Sequence, residues 1–315
     1  MRVLLFGATG YLGGRVAAAL LAAGHEVIGL VRSSSSSPVP AGVAVLRGEL
    51  SDPADLARAV TDAEPHAVAF CARVFDDGPD RAVERRVIEE LIDLLHGSDR
   101  ALVFTSGTGV LSTETGGLWA DEVFAEADDF VTGPLMVGRR GTEELVLAAD
   151  GVRGIVVRPP SIWGRGLSSH TTHVVRSVLE RGEAWYVGPG LNSYAVVHVD
   201  DLAELYRLAI ECGTAGRVYH ATAGEVPNRW LAEVVGDVLG APARSVTPEQ
   251  ASDLWGDYVT RVVMGSSSRT TSAITRAELG WTPTRTDMLA DTRDILSTMS
   301  ADPTRLAAAL ARRPV

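Results

Sequence analysis

The chain of 315 residues contains no lysine, so all 29 of its basic residues are arginines. A lysine base, a Schiff-base nitrogen or a lysine that tunes a neighbouring phenol is therefore excluded at every position. Cysteine is nearly absent too. Cys71 and Cys212 give neither a disulfide framework nor the spacing of a metal site, and no metal is expected. No apolar run approaches the ~20 residues that span a bilayer. The N-terminus shows no basic segment leading into an apolar core and a cleavage site, so a cytoplasmic protein with no membrane association is expected. A net charge of −11 argues against a nucleic-acid partner. It does not exclude an anionic small ligand, whose binding is decided by local dipoles and a few arginines.

What is present begins at residue 2. Arg2–Phe6 reads as a short strand buried on both faces, and a helix rich in alanine and leucine follows over 11–23. Between them lie Gly7, Gly10 and Gly13. This strand–glycine turn–helix order suits a dinucleotide pyrophosphate. Gly7 permits the tight turn, Gly10 permits close approach of the backbone, and Gly13 permits close packing of helix on sheet. The backbone around Thr9, Tyr11 and Leu12 presents free N–H groups to the anion.

Alternation continues with strands expected at 26–31, 43–46, 67–71, 102–105 and 152–157. Helices are expected at 52–62, 80–96 and 135–149. This rhythm predicts a Rossmann-type α/β fold, a doubly wound parallel sheet with a smaller C-terminal substrate lobe. The dinucleotide domain would span 1–160, with 193–214 returning to it as a strand and a helix over 200–212. Segments 161–192 and 215–285 would form the substrate lobe. Residues 286–315, with helices over 287–299 and 304–312, would cover it. A ligand would sit in the cleft at the carboxyl ends of the strands.

The second strand ends Leu30-Val31-Arg32-Ser33-Ser34. An acid there would bind both ribose hydroxyls and repel a 2′-phosphate. Valine followed by an arginine and two hydroxyls favours the phosphate instead, so NADPH/NADP+ is expected over NADH.

Together these features resemble the extended short-chain dehydrogenase/reductases, the group of nucleotide-sugar epimerases, dehydratases and related ketone reductases. The resemblance is carried by GATGYLG at 7–13, GELSD at 48–52, CAR at 71–73, VFTSGTGV at 103–110, RPPSIWGRG at 158–166, YAVVHVDDLA at 194–203 and LGWTP at 279–283. It implies that Glu49 and Leu50 flank the adenine. By the same resemblance Cys71, Ala72, Arg73 and Thr105 line the cofactor path, and Pro159 and Ile162 lie near the nicotinamide.

The family's chemistry uses a Tyr-x-x-x-Lys pair on one helix face, with a Ser or Thr on the preceding strand. This chain departs from that pattern. Alignment puts Met136 in the tyrosine slot and Arg140 in the lysine slot, and a slip of one residue offers Leu135 and Arg139. The serine slot falls near Gly107, flanked by Ser106 and Thr108. Arg140 would keep a donor and a positive charge near the nicotinamide, but guanidinium does not act as a general acid at neutral pH.

Losing a positioned acid typically lowers the rate by ~10²–10⁴. The expected substrate is therefore a ketone that is already hydrogen-bonded to its own neighbouring phenol, as in aromatic polyketides of the angucyclinone type made during antibiotic biosynthesis. The residues expected to meet such a flat ligand are Phe75, Trp119, Phe124, Trp163, Trp185 and Tyr194, with His170 and His173 opening a helix. His198 is read as structural. Two other readings stay open: a non-catalytic NADP(H)-binding sensor, and a sugar-nucleotide epimerase or dehydratase.

Overall fold

The structure, a computed structural model, describes residues 1–35, 37–73, 81–300 and Leu306. The first strand, β1 (Arg2–Phe6), places Val3 and Leu5 on one face and Leu4 and Phe6 on the other, all buried. There follow α1 (Tyr11–Ala22), β2 (Glu26–Val31), β3 (Ala44–Arg47), α2 (Pro53–Ala63), β4 (Ala67–Phe70), α3 (Ala82–Leu95) and β5 (Ala101–Thr105). Asp52 caps α2 by accepting from the Ala54 N–H, with Pro53 at the first helical position. Next come a 3₁₀ turn (Thr108–Leu111), β6 (Thr113–Glu114), a second 3₁₀ turn (Pro134–Met136), α4 (Val137–Leu147) and β7 (Arg153–Arg158).

The chain continues through β8 (Ser161–Trp163), α5 (Ser169–Arg181), β9 (Ala184–Val187), β10 (Ser193–His198), α6 (Val199–Cys212), β11 (Arg217–His220), β12 (Gly224–Pro227) and α7 (Asn228–Leu239). It ends with β13 (Ala243–Val246), α8 (Pro248–Trp255), a π-helical turn (Val259–Met264), β14 (Ser266–Ser267), α9 (Ala273–Leu279) and α10 (Met288–Ser300).

The expected doubly wound sheet is present. Seven parallel strands run in the order β11-β7-β5-β4-β1-β2-β3. The order reverses between β1 and β4, the switch point where ligands bind in such sheets. One face is covered by α1 and α6 and the other by α2 and α3. A second core is built on the three-stranded sheet β12-β10-β8 with α5, α7 and α8.

Three boundaries differ from the sequence reading. The strand expected to return to the dinucleotide sheet, β10, lies at the centre of the small sheet, and only α6 returns to the large one. Conversely β11, within the stretch assigned to the lobe, is an edge strand of the large sheet. Four residues are too few to show their periodicity, yet Tyr219 packs on one face of the sheet and Val218 on the other. The expected helix over 135–149 begins regular winding only at Val137, because Pro134 starts a 3₁₀ turn. The helix expected over 304–312 lies outside the described residues except for Leu306, which is helical and buried.

A Cβ at Gly13 would lie 2.1 Å from the Gly7 carbonyl oxygen, whereas one at Gly14 would meet nothing closer than 3.5 Å. Gly13→Ala should therefore destabilise the protein by about 1–3 kcal/mol. Gly14→Ala, one position along the same helix, should be neutral or stabilising by up to about 1 kcal/mol. Urea unfolding of the two variants checks this, and equal effects would remove the steric argument.

Candidate functional site

The turn after β1 approaches the neighbouring strand so closely that it requires glycine. Gly7 has φ 88°, and a Cβ there would lie 2.7 Å from the Cys71 carbonyl and the Ala72 nitrogen. The Gly10 N–H donates back to the Gly7 carbonyl at 2.8 Å, and no side chain caps α1. The first turn of α1, at Tyr11, Leu12 and Gly13, thus offers uncapped N–H groups at the switch point, which fits a pyrophosphate. Thr9 is half-buried in this turn. The Tyr11 side chain has another task. Its phenol donates to the Gly164 carbonyl at 2.5 Å and joins the turn to the second lobe.

Beyond β2, Arg32, Ser33 and Ser34 are exposed. The Arg32 carbonyl accepts from Arg47 Nη1 at 3.2 Å, which brings a second guanidinium to the same edge. The Arg32 guanidinium makes no ion pair among the described residues. Glu49 is exposed with its N–H on Asp55 Oδ2 at 2.7 Å, and half-buried Leu50 packs on the sheet core beside Ala72. Burial pushes the Cys71 thiol up to about 12, so it stays neutral, while Arg73 is exposed. Phe75 lies outside the described residues.

At the end of β5 the hydroxyls separate by role. Thr105 Oγ1 donates to the Phe70 carbonyl and accepts from Tyr206 Oη, both at 2.6 Å. Its hydroxyl therefore holds strands together and is not free to line the cofactor path. Thr108 is fully buried, its N–H on the Pro159 carbonyl at 2.9 Å and its carbonyl accepting from Ser268 Oγ at 2.9 Å. It lies beneath the Tyr194 phenol and does not open onto the cleft. Ser106 is half-buried, and its Oγ makes no hydrogen bond among the described residues. Thr108 Oγ1 is likewise buried without a hydrogen-bond partner, so both hydroxyls proposed for the reaction are unsatisfied. Ile162 is half-buried against the main core.

Helix α4 also requires a correction. Arg140 points away from the strand ends: Nη1 meets Glu143 Oε2 at 3.1 Å, Nε meets Glu144 Oε1 at 3.0 Å, and the guanidinium lies over the Phe130 ring. Arg158 also lies over that ring, 5.0 Å from its centroid, and is itself paired with the fully buried Glu143 at 2.6 Å. It is Arg139 that reaches the sheet. Its Nη1 donates to the Thr105 carbonyl at 3.0 Å and lies 3.1 Å from Glu84 of α3. Burial pulls the Arg139 pKa down, opposed by Glu84. Of the two arginines, Arg139 is the one whose guanidinium reaches the end of β5.

Around Met136 is a small apolar cluster of Val110, Leu111 and Val262 with Phe124, Phe130 and Leu135 against it. The Met136 methyl lies 3.3 Å from where a Cβ on Gly109 would be, and the Tyr194 hydroxyl lies 3.5 Å from the same point. Tyr258, which the sequence reading passed over, places its phenol 3.8 Å from Met136 Sδ and is 40% exposed.

The lobe aromatics divide sharply. Trp163 is 1% exposed with its indole N–H on Asp291 Oδ2 at 3.0 Å. Trp185 donates to Glu183 Oε2 at 3.0 Å and packs edge-on against Trp255. Both are lobe core and not ligand contacts, because their apolar surface and their N–H groups are already used inside. The His170 ring packs tilted against Tyr194, centroids 4.7 Å apart, and burial lowers its pKa to about 3. His173, lowered to about 4 by burial, gives its carbonyl to the Trp255 indole. His198 caps α6 by accepting from the Asp200 N–H at 3.1 Å. Trp119 remains 47% exposed, with the Arg269 guanidinium 4.2 Å from its ring.

The profile of the NAD dependent epimerase/dehydratase family matches residues 3–221. The chain belongs to that family. It is 32% identical over 298 residues to an uncharacterized protein of Schizosaccharomyces pombe, covering 92% of this chain and 98% of that one. It is 31% identical over 268 residues to a 2-alkyl-3-oxoalkanoate reductase of Stenotrophomonas maltophilia, covering 77% of each. Among solved structures it superposes on the dTDP-glucose 4,6-dehydratase of Bacillus anthracis in complex with NAD. The TM-score is 0.75 at 17% identity, over 98% of this chain and 99% of that one, a likeness of fold. No helix among the described residues is long and apolar enough to cross a membrane.

The two arginines of α4 should separate by experiment. Arg139→Ala leaves buried Glu84 without its partner and should destabilise the protein by about 3–5 kcal/mol, with much of that recovered in the double variant Glu84→Gln/Arg139→Gln. Arg140→Ala should change stability by about 1 kcal/mol or less, because Arg158 still holds Glu143 and the Glu144 pair is exposed. Urea denaturation of the three variants gives the comparison.

Proposed function

We propose that the protein is an NADPH-dependent reductase acting on the ketone of a flat aromatic substrate of the polyketide type. The observation that carries this reading is a complete dinucleotide turn facing a strand end with two unsatisfied hydroxyls, Ser106 and Thr108, and the half-buried guanidinium of Arg139, beside a helix that bears no tyrosine. Arg139 can donate to the ribose of a nicotinamide nucleotide as the family's lysine does, and Arg32 with Arg47 favours a 2′-phosphate. When bound, the reduced nicotinamide supplies the hydride equivalent. Ser106 offers a hydrogen bond to the carbonyl oxygen, and the substrate's own phenol polarises that carbonyl from the other side. Moving protons on a sugar needs a positioned acid–base residue that α4 lacks, which places epimerisation and dehydration behind reduction. The reductase name of the Stenotrophomonas maltophilia relative supports the same class.

Two measurements test this. Purified protein should consume NADPH with hydroxylated aromatic polyketide ketones, followed by the fall in cofactor absorbance. Tight NADPH binding without turnover on any ketone would instead favour a sensor. In a separate titration, Arg32→Glu should reduce NADPH affinity relative to NADH by about tenfold or more, as expected for losing a charge-assisted phosphate contact and gaining a repulsive one. Unchanged relative affinities would place the ribose phosphate elsewhere.

A further inference from the structure

The helix that carries the acid elsewhere in the family brings Leu135, Met136 and Arg139 to this region but no acid, whereas the segment after α8 brings a phenol to Met136. Tyr258 is the residue from which the π-helical turn Val259–Met264 winds. Such turns are rare and are frequent at functional sites. The wide winding is real hydrogen bonding here, since the Gly265 N–H reaches the Thr260 carbonyl, five residues back, at 2.6 Å. The turn is anchored by Val262, which packs with Met136, Val110 and Leu111 against the loop after β5. Tyr258 Oη ends 3.8 Å from Met136 Sδ, beside the 3₁₀ turn Pro134–Met136, which holds no tyrosine.

Two groups lie within electrostatic reach of this phenol among the described residues. From α4 comes Arg139, whose charge a phenolate at Tyr258 would stabilise. From β10 comes Tyr194, whose own ionisation a phenolate at Tyr258 would oppose. Tyr194 is buried against Thr108 and Ser268 at 6% exposure, whereas Tyr258 is 40% exposed. A proton donor must recover its proton after each turnover, and of the two phenols Tyr258 is the more open to water.

Resting on the reductase reading, we propose that Tyr258 donates the proton to the substrate oxygen, replacing from the segment after α8 the tyrosine that α4 lacks. The carbonyl carbon gains a C–H bond from the reduced nicotinamide as the π pair of the C=O bond moves to oxygen. The Tyr258 O–H bond breaks, and its proton completes the product hydroxyl. The phenolate, held beside Arg139, takes a proton from water. The substrate's phenol then assists the reaction without being required for it.

The test compares wild type and Tyr258→Phe on matched ketones, α-tetralone and its peri-hydroxylated analogue together with larger tricyclic pairs of the same design. Wild type should reduce both members of a pair. Tyr258→Phe should lose about a hundredfold in kcat on the phenol-free ketone. On the phenol-bearing partner it should lose only a few-fold, because that substrate carries its own donor. Equal kcat for variant and wild type on the phenol-free ketone overturns the proposal while leaving the reductase reading intact.

A second readout does not need turnover. Calorimetric binding of the phenol-free ketone to the protein–NADP+ complex should weaken about fivefold in Tyr258→Phe, the effect of losing one hydrogen bond. If wild type reduces no ketone but this difference in binding is seen, the reductase reading falls and Tyr258 stands as the ligand's hydrogen-bond donor. Absence of both effects removes Tyr258 from the site.

Discussion

Two adjacent carboxylates at the start of α6 hold the two lobes in register, and the geometry of the cleft depends on them. Asp200 accepts from Arg15 of α1 at 2.7 Å and from Arg165, in the segment after β8, at 3.0 Å. Asp201 accepts from the Thr284 and Arg285 N–H groups at 2.9 and 2.8 Å, and from both of their side chains. Both acids sit at a helix N-terminus, where the dipole favours negative charge. Burial pushes the Asp200 pKa up, but the hydrogen bonds from Arg165 and Arg15 outweigh it and hold the carboxyl below its usual range. With Tyr11 bonded to Gly164 and Arg165 to Asp200, the glycine turn side of the large sheet and the segment after β8 are joined at two points, and Arg15 ties Asp200 to α1.

The parts of this arrangement that were legible in the sequence are local ones. The turn from β1 to α1 is dictated by glycines three apart between an apolar strand and an amphipathic helix, and its steric logic operates within a dozen residues. The seven-stranded sheet follows from strand–helix alternation for the same reason. Strand β11 is not legible because four residues carry too little periodicity, whereas β10 is legible as a strand but its pairing with β8 instead of the large sheet is decided by tertiary packing.

The site was harder to read, for three physical reasons. A helix turns about 100° per residue, so Arg139 and Arg140 face different neighbours although both are arginines in the same motif. Trp163 and Trp185 looked like ligand contacts, yet each indole N–H found a carboxylate and each ring found a core. Tyr258 meets Met136 across 122 positions of chain, and nothing in the local pattern around Trp255-Gly256-Asp257-Tyr258 announces that meeting.

Exchanging lysine for arginine changes more than the shape of a donor. In the family's pair, one helix turn carries both the positive charge and the proton, so their separation is fixed by α-helical geometry. Here Arg139 keeps the charge, partly balanced by Glu84, and a guanidinium has no proton to yield near neutrality. With Tyr258 as the acid, charge and proton stand on different lobes. Their separation is then set by the contacts of Asp200 and Asp201 and by the packing of Val262 on Met136. Proton donation becomes a property of how the lobes meet around a ligand, and ligand fit and acid placement are coupled in a way that a single helix cannot provide.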